Sequence, residues 1–172
     1  LARLTSTQLG AIAENLVASA LIVESNGRLS PFTPQADDDG IDLLIYDKES
    51  GRALPVQVKS RTVTLKKKTS DDRGDLVHFE VRRATFRAER YGVAILVLTA
   101  DSGYRIDTAW VVPLAELDSG ARQGKTKLIA RPSRSPSSQD RWVKYRCSSP
   151  AMLCERVAAI LDAKLEARSP AA

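Results

Sequence analysis

Leu9, Ile12, Ala13, Leu16, Val17, Ala20 and Leu21 recur three and four residues apart, which places them on one stripe of an α-helix. Thr5 and Gln8 stand ahead of that stripe at capping-box spacing, and Asn26-Gly27 closes it, so a first helix is predicted between these signals. "LSPFTPQADDDG" follows, and its prolines and aspartates predict an extended loop. The period then drops to two. Residues 40–61, "GIDLLIYDKESGRALPVQVKSR", read as two strands joined by a polar turn, with "SRTVTL" extending the second. "KKKTSDDRGD" is a polar loop, "LVHFEV" a strand, and "RRATFRAERYG" a short helix ending at Gly92. "VAILVLT" is apolar and β-branched, the composition of a central strand buried on both faces. "YRIDTAWVVPLAEL" supplies another strand with Pro113 at its end, and "KLIA" and "RWVKYRC" read as edge strands around a mobile Ser/Pro/Arg-rich loop, "RPSRSPSSQD". Ser149 caps and Pro150 opens a last helix with the stripe Met152, Leu153, Val157, Ile160, Leu161 and Leu165. This order predicts an α/β sandwich around a mixed sheet, with no internal repeat and no glycine-rich phosphate loop.

If residues 47–52 form the turn, Tyr46 faces Ala53 and Asp42 falls opposite Gln57. Side chains alternate along a strand and paired residues share a face, so Asp42, Gln57 and Lys59 project to one side. Ile41, Leu43, Ile45, Leu54, Val56 and Val58 make the other side apolar. Leu44 and Tyr46 share the Asp42 side and are expected to lie under a helix. An acid, an amide and an amine on a half-buried sheet face are costly unless something offsets their desolvation.

Composition narrows the setting. The chain of 172 residues is 43% hydrophobic and 27% charged, which suits one globular domain spanning residues 1–172. Polar interruptions leave no apolar run expected to cross a bilayer and no secretory signal, so a cytoplasmic protein with no membrane association is expected. Cys147 and Cys154 match neither a zinc knuckle nor a disulfide framework, and a single histidine, His78, excludes a histidine-rich metal site. Charge is uneven: residues 1–51 carry 3 basic and 8 acidic side chains, whereas residues 52–90 carry 11 and 5. A basic middle beside an acidic pocket is the pattern of a polyanion-binding enzyme that also holds a cation.

The residue types on the hairpin suit metal-assisted phosphodiester hydrolysis. Asp42 is an oxygen ligand for Mg²⁺, which needs few protein groups, and the Gln57 amide oxygen and Val58 carbonyl can complete its shell. Lys59 then orients a water or meets charge developing on a phosphate.

"GID", followed fourteen residues after its Asp by "QVK", resembles the signature of the PD-(D/E)xK nuclease superfamily, which includes restriction endonucleases and Holliday-junction resolvases. The resemblance implies a three-layer α/β/α sandwich with a mixed central sheet, the restriction-endonuclease-like fold. It implies Asp42 as metal ligand, Lys59 as catalytic residue, and Mg²⁺ or Mn²⁺ as cofactor. It also implies a further ligand, Glu14, on the first helix, because many members carry a Glu there. The order of elements up to about Leu98 agrees with a core of helix, three strands, helix, strand, and residues 100–168 lie beyond it. One departure stands out: the middle acid is Gln57, a neutral and weaker ligand, which raises the weight on Glu14.

Each residue also has an ordinary reading: a solvent-facing Asp42 or Gln57, a surface Lys59, a half-exposed Glu14 on a helix flank. Of Asp37, Asp38 and Asp39, at most Asp39 is expected to approach the site. His78, Trp110 and Trp142 are expected to be packing residues. Lys66, Lys67, Lys68 and Arg82, with Arg83, Arg87 and Arg90 on one side of the short helix, are candidates for a phosphate-binding groove. The leading expectation is a metal-dependent DNA endonuclease of repair, recombination or defence, with RNA open as substrate and a homodimer expected. Its rivals are a catalytically inactive nucleic-acid-binding or docking module of the same fold, and a structural subunit that uses the last helix as interface.

Overall fold

Helix α1 (Ser6–Glu24) begins with the predicted capping box: the Thr5 hydroxyl accepts from the Gln8 N–H at 3.2 Å, and the Gln8 amide oxygen accepts from the Thr5 N–H at 2.9 Å. Our computed structural model describes residues 4–36, 39–100 and 103–166, without the side chains of 164–166. Asp37 and Asp38, and the side chain of Leu165, therefore lie outside the described residues. After α1 come β1 (Leu29–Phe32), β2 (Leu43–Asp47), β3 (Arg52–Arg61), β4 (Phe79–Arg82), β5 (Val93–Ala100) and β6 (Arg105–Pro113). Then follow α2 (Leu114–Gly120), β7 (Arg122–Gln123), β8 (Lys127–Ala130), a 3-10 turn at Val143–Tyr145, β9 (Arg146–Cys147) and α3 (Pro150–Glu166).

Six strands form the central sheet in the order β1-β2-β3-β5-β6-β9. The β3–β5 pair is parallel and the other pairs are antiparallel, so the sheet is mixed. The hairpin register is the expected one, Tyr46 opposite Ala53 and Leu43 opposite Val56. One sheet face is covered by α1 and α3: Ala13, Val17 and Leu21 meet Leu153, Val157 and Leu161 over Leu43, Ile45, Leu54, Val56, Val58 and Ile95, all buried. The other face, through Ala94, Leu96, Leu98, Trp110 and Val112, is covered by α2 and a small antiparallel sheet of order β4-β8-β7. The result is a sandwich of three layers around a mixed sheet.

Several expectations change. α3 is a core helix, so its stripe of Leu153, Val157 and Leu161 is not a subunit interface. Met152, which the stripe included, is exposed. The 83–91 segment is a pair of turns rather than a helix, because Phe86 N–H donates to Arg83 and Arg90 N–H to Arg87, each closing a turn that does not propagate. "KLIA" is the middle strand of the small sheet rather than an edge strand, and "RWVKYRC" supplies only the short β9. The 131–140 loop is hydrogen-bonded in place: Asp140 accepts from the N–H groups of Ser133 and Trp142 at 2.8 and 2.7 Å. Leu44 and Tyr46 lie under no helix; with Phe32 they are exposed on a part of the sheet that α2 and the small sheet do not reach. α1 is, by length and apolar composition alone, the one described helix that could cross a membrane. Here it lies across the sheet.

Candidate active site

β3 is twice as long as β2, 10 residues against 5, and this inequality makes the site. Residues 52–56 pair with β2, whereas residues 57–61 continue alone on that side and pair only with β5. Where the ladder stops, Asp42 takes it over. Its N–H donates to the Val56 carbonyl at 2.9 Å, and its carboxylate accepts from the Val58 N–H at 2.6 Å. A residue's N–H and C=O point to the same strand edge, so the Val58 carbonyl also faces the opening.

A cleft of about 430 Å³ occupies this gap. Its lining brings together Glu14 with Thr7 and Gly10 of α1, Gly40 and Asp42, Gln57 and Lys59 of β3, and Glu80 and Arg82 of β4. The predicted constellation of Asp42, Gln57, Lys59 and Glu14 therefore converges on one space. The Lys59 ammonium lies 3.6 Å from the Asp42 carboxylate, an ion pair beyond hydrogen-bond length. Asp42 is 11% exposed and Lys59 31%, so both are sheltered from water yet reachable. Gln57 is buried, and its amide lies 3.1 Å from the place a Cβ on Gly40 would take. Gly40 has φ +68°, so this glycine both makes the turn into β2 and leaves room for the amide. Among the described residues, no three His, Cys, Asp or Glu side chains are grouped to hold a metal ion.

Glu80 is a functional candidate that the sequence reading passed over. Its carboxylate accepts from Lys127 Nζ at 2.5 Å and lies 3.2 Å from His78 Nε2. The Lys127 hydrogen bond, then that of His78, hold its pKa below the usual glutamate value against the opposing effect of burial. His78 Nδ1 accepts from Arg131 Nε at 3.1 Å, so the imidazole is a connector between charged groups rather than a packed core histidine. The alternation of "LVHFEV" put Glu80 and Arg82 on a common face, which was the available signal.

The other candidates lie elsewhere. Asp39 pairs with Arg90 at 2.8 Å and borders a separate small hollow. Lys66 pairs with Asp71 at 2.6 Å in the polar loop, where Lys67 and Lys68 are also exposed, and none of the three lines the cleft. Arg83 donates to Gln123, and Arg87 to the carbonyls of Ala84 and Phe86, so Arg83, Arg87 and Arg90 form no common helical row. Trp110 is fully buried, edge-on to Phe79 at 5.9 Å, and Trp142 is buried against Gly120. Both are packing residues, as expected.

Neither a family model nor a curated protein matches the chain. Among solved structures, it is similar to the bacterial homing endonuclease I-Ssp6803I, with a TM-score of 0.59 at 18% identity over 96% of this chain and 99% of that one. At that identity the likeness is one of fold, and the fold is the restriction-endonuclease-like sandwich around a mixed sheet.

Proposed function

We propose that the chain is a divalent-metal-dependent endonuclease that hydrolyses DNA phosphodiester bonds. The observation that carries this reading is the convergence of Asp42, Gln57, Lys59 and Glu14 on one cleft where β3 outruns β2. The fold shared with a solved homing endonuclease supports it. The donor set fits Mg²⁺ or Mn²⁺: two carboxylates, an amide oxygen and a main-chain carbonyl are all hard ligands, and Mg²⁺ retains water in place of further protein groups. Asp42 and Glu14 would hold the ion, aided by Val58 and Gln57. When bound, such an ion lowers the pKa of water and stabilises charge on phosphoryl oxygens. Lys59 sits beside Asp42 as a fixed donor to a phosphate oxygen, where it would offset negative charge that grows in the transition state. Asp42 anchors the arrangement by tying its carboxylate to the β3 backbone. Arg82, on the rim, would contact a neighbouring phosphate. Homodimerisation and a cytoplasmic setting belong to the same proposal, and sedimentation of the purified chain tests the first.

The experiment is nicking of supercoiled DNA with Mg²⁺ or Mn²⁺ by the chain and by Lys59→Ala. The variant is expected to keep its melting temperature and lose cleavage; undiminished cutting by it would refute the site. Neutral Gln57 and the lack of a three-acid group among the described residues favour a second reading, an inactive nucleic-acid-binding module. That reading expects DNA binding without cleavage and no rise in melting temperature on adding Mg²⁺.

A further inference from the structure

Gly10 lies within α1, where glycine is less favourable than alanine because it fixes a more flexible backbone. The fold gives no reason for it. A Cβ at Gly10 would meet nothing within 4 Å, and each of the other eight of the nine glycines has either a positive φ or neighbours inside that distance. The helix uses alanine freely elsewhere, at Ala11, Ala13, Ala18 and Ala20, so a small helix former was available. Gly10 is instead part of the cleft wall, three residues after Thr7 and four before Glu14, spacings that put all three on one helix face. It therefore lines the same cleft as Asp42, Lys59 and Arg82.

From this we infer that Gly10 is a clearance position: its bare backbone lets the sugar-phosphate chain of the substrate pass against α1 on its way to Lys59. The inference rests on the endonuclease reading and names the surface along which the substrate strand enters. A phosphodiester chain is the occupant that fits the endonuclease reading: Lys59 and Arg82 present cations in the cleft, and the divalent ion of that reading would offset the carboxylates of Glu14 and Asp42 beside them. A side chain at Gly10 would narrow the passage while strengthening the helix. Stability and function should thus move in opposite directions, a result that a merely structural glycine would not give.

The test compares Gly10→Ala, Gly10→Leu and, as a control on the opposite, exposed side of α1, Ser19→Leu. Melting temperature and the affinity for a short labelled DNA duplex at low salt, with EDTA to block hydrolysis, are the readouts. Gly10→Ala should raise the melting temperature by about 2–4 °C. Gly10→Leu should stay folded and bind the duplex at least about tenfold more weakly, and Ser19→Leu should bind like the unaltered chain. Binding by Gly10→Leu equal to that of the unaltered chain overturns the inference and leaves the endonuclease reading standing. A lower melting temperature for Gly10→Ala overturns it as well, since the fold would then need the glycine. An unaltered chain that neither binds nor cuts DNA overturns the endonuclease reading, and the inference with it.

Discussion

Two aspartates five residues apart in one hairpin, Asp42 and Asp47, face opposite sides of the sheet and live under opposite rules. Asp47 is fully buried on the face that α1 and α3 cover. Arg28 grips it with Nε at 2.9 Å and Nη2 at 2.8 Å, the Ser50 hydroxyl donates at 2.6 Å and the Glu49 N–H at 3.1 Å. Asp162 holds the same guanidinium at 2.6 Å, so the pair ties β2 to α3. The Asp42 carboxylate accepts from the Val58 N–H, stands 3.6 Å from the Lys59 ammonium and opens onto a cleft. A buried acid with its donors packed around it is a structural joint. An acid on a cleft wall, with a lysine lining the same space, is placed where a ligand can meet it. Burial alone, 0% exposure against 11%, does not separate the two; what each carboxylate faces does, a guanidinium in the core for Asp47 and a cleft for Asp42.

Changing each acid to its amide tests that contrast most severely. Asp42→Asn keeps an acceptor for the Val58 N–H and should leave the melting temperature nearly unchanged. Cleavage should fall by about 10³-fold, roughly 4 kcal/mol of transition-state stabilisation. Asp47→Asn should do the reverse. It leaves the Arg28 guanidinium, 23% exposed, without its bidentate partner, and should cost about 3 kcal/mol in urea unfolding while cleavage per folded molecule is preserved. Exchange of these phenotypes would break the contrast outright.

The pH dependence of stability belongs to Asp47. The Arg28 hydrogen bonds, against opposing burial and with help from Ser50 and Glu49, hold its carboxyl well below the usual carboxylate range. The unfolded chain therefore takes up this proton at a pH where the folded chain does not, and stability rises with pH across that interval. The contribution is complete above about pH 5 and is lost as the pH falls below the unfolded value of about 3.9 toward the depressed folded one. It amounts to about 2–3 kcal/mol between neutral and strongly acid solution. Urea midpoints against pH should show this slope in the unaltered chain and a flatter one in Asp47→Asn.

Why was one acid legible in the sequence and the other not? The hairpin register follows from the alternation of apolar residues, and it sets Asp42, Gln57 and Lys59 on one face without any tertiary knowledge. Asp47 sits in "YDKESG", whose composition says turn, and its partner Arg28 and that guanidinium's second acid, Asp162, are 19 and 115 positions away. Such partners have no local signature. The same holds for β4, whose hydrophobic alternation was visible but whose partner β8 is distant in sequence. Pro113 marks the end of the strand in "YRIDTAWVVPLAEL", but helix α2, directly after it, is only 7 residues long, too short for a helical period to show in the sequence. In "RRATFRAERYG" the arginines have helical spacing, but Phe86 is packed against the second core cluster and Arg90 reaches Asp39, so tertiary contacts held the backbone in turns. Glu14 follows from the family resemblance alone, and the structure places it in the lining of the same cleft as Asp42.

Gln57→Glu sharpens the contrast from the other side, by adding charge where the Asp42 site has least. In the absence of divalent ions, a second carboxylate beside Asp42 in this buried position should lower the melting temperature. Mg²⁺ should then raise it by more than in the unaltered chain, each tenfold gain in affinity adding about 1.4 kcal/mol at saturating metal. An equal metal response in the two proteins would mean that Gln57 is not part of the cation site.

The smallest effect concerns the basic residues, and it separates position from charge. Lys66 and Arg82 contribute the same unit of positive charge, yet Lys66 is paired with Asp71 in a distant loop and Arg82 lines the cleft. If the substrate backbone follows the cleft, Arg82→Ala removes one phosphate contact. Duplex affinity should fall by less than about tenfold, and the slope of log K against log salt should shrink by about 1. Lys66→Ala should change neither quantity. Equal losses in both variants would mean that DNA senses only the summed charge of residues 52–90. The cleft would then not be the track that binding follows, even with Asp42 and Lys59 in place to act on whatever reached them.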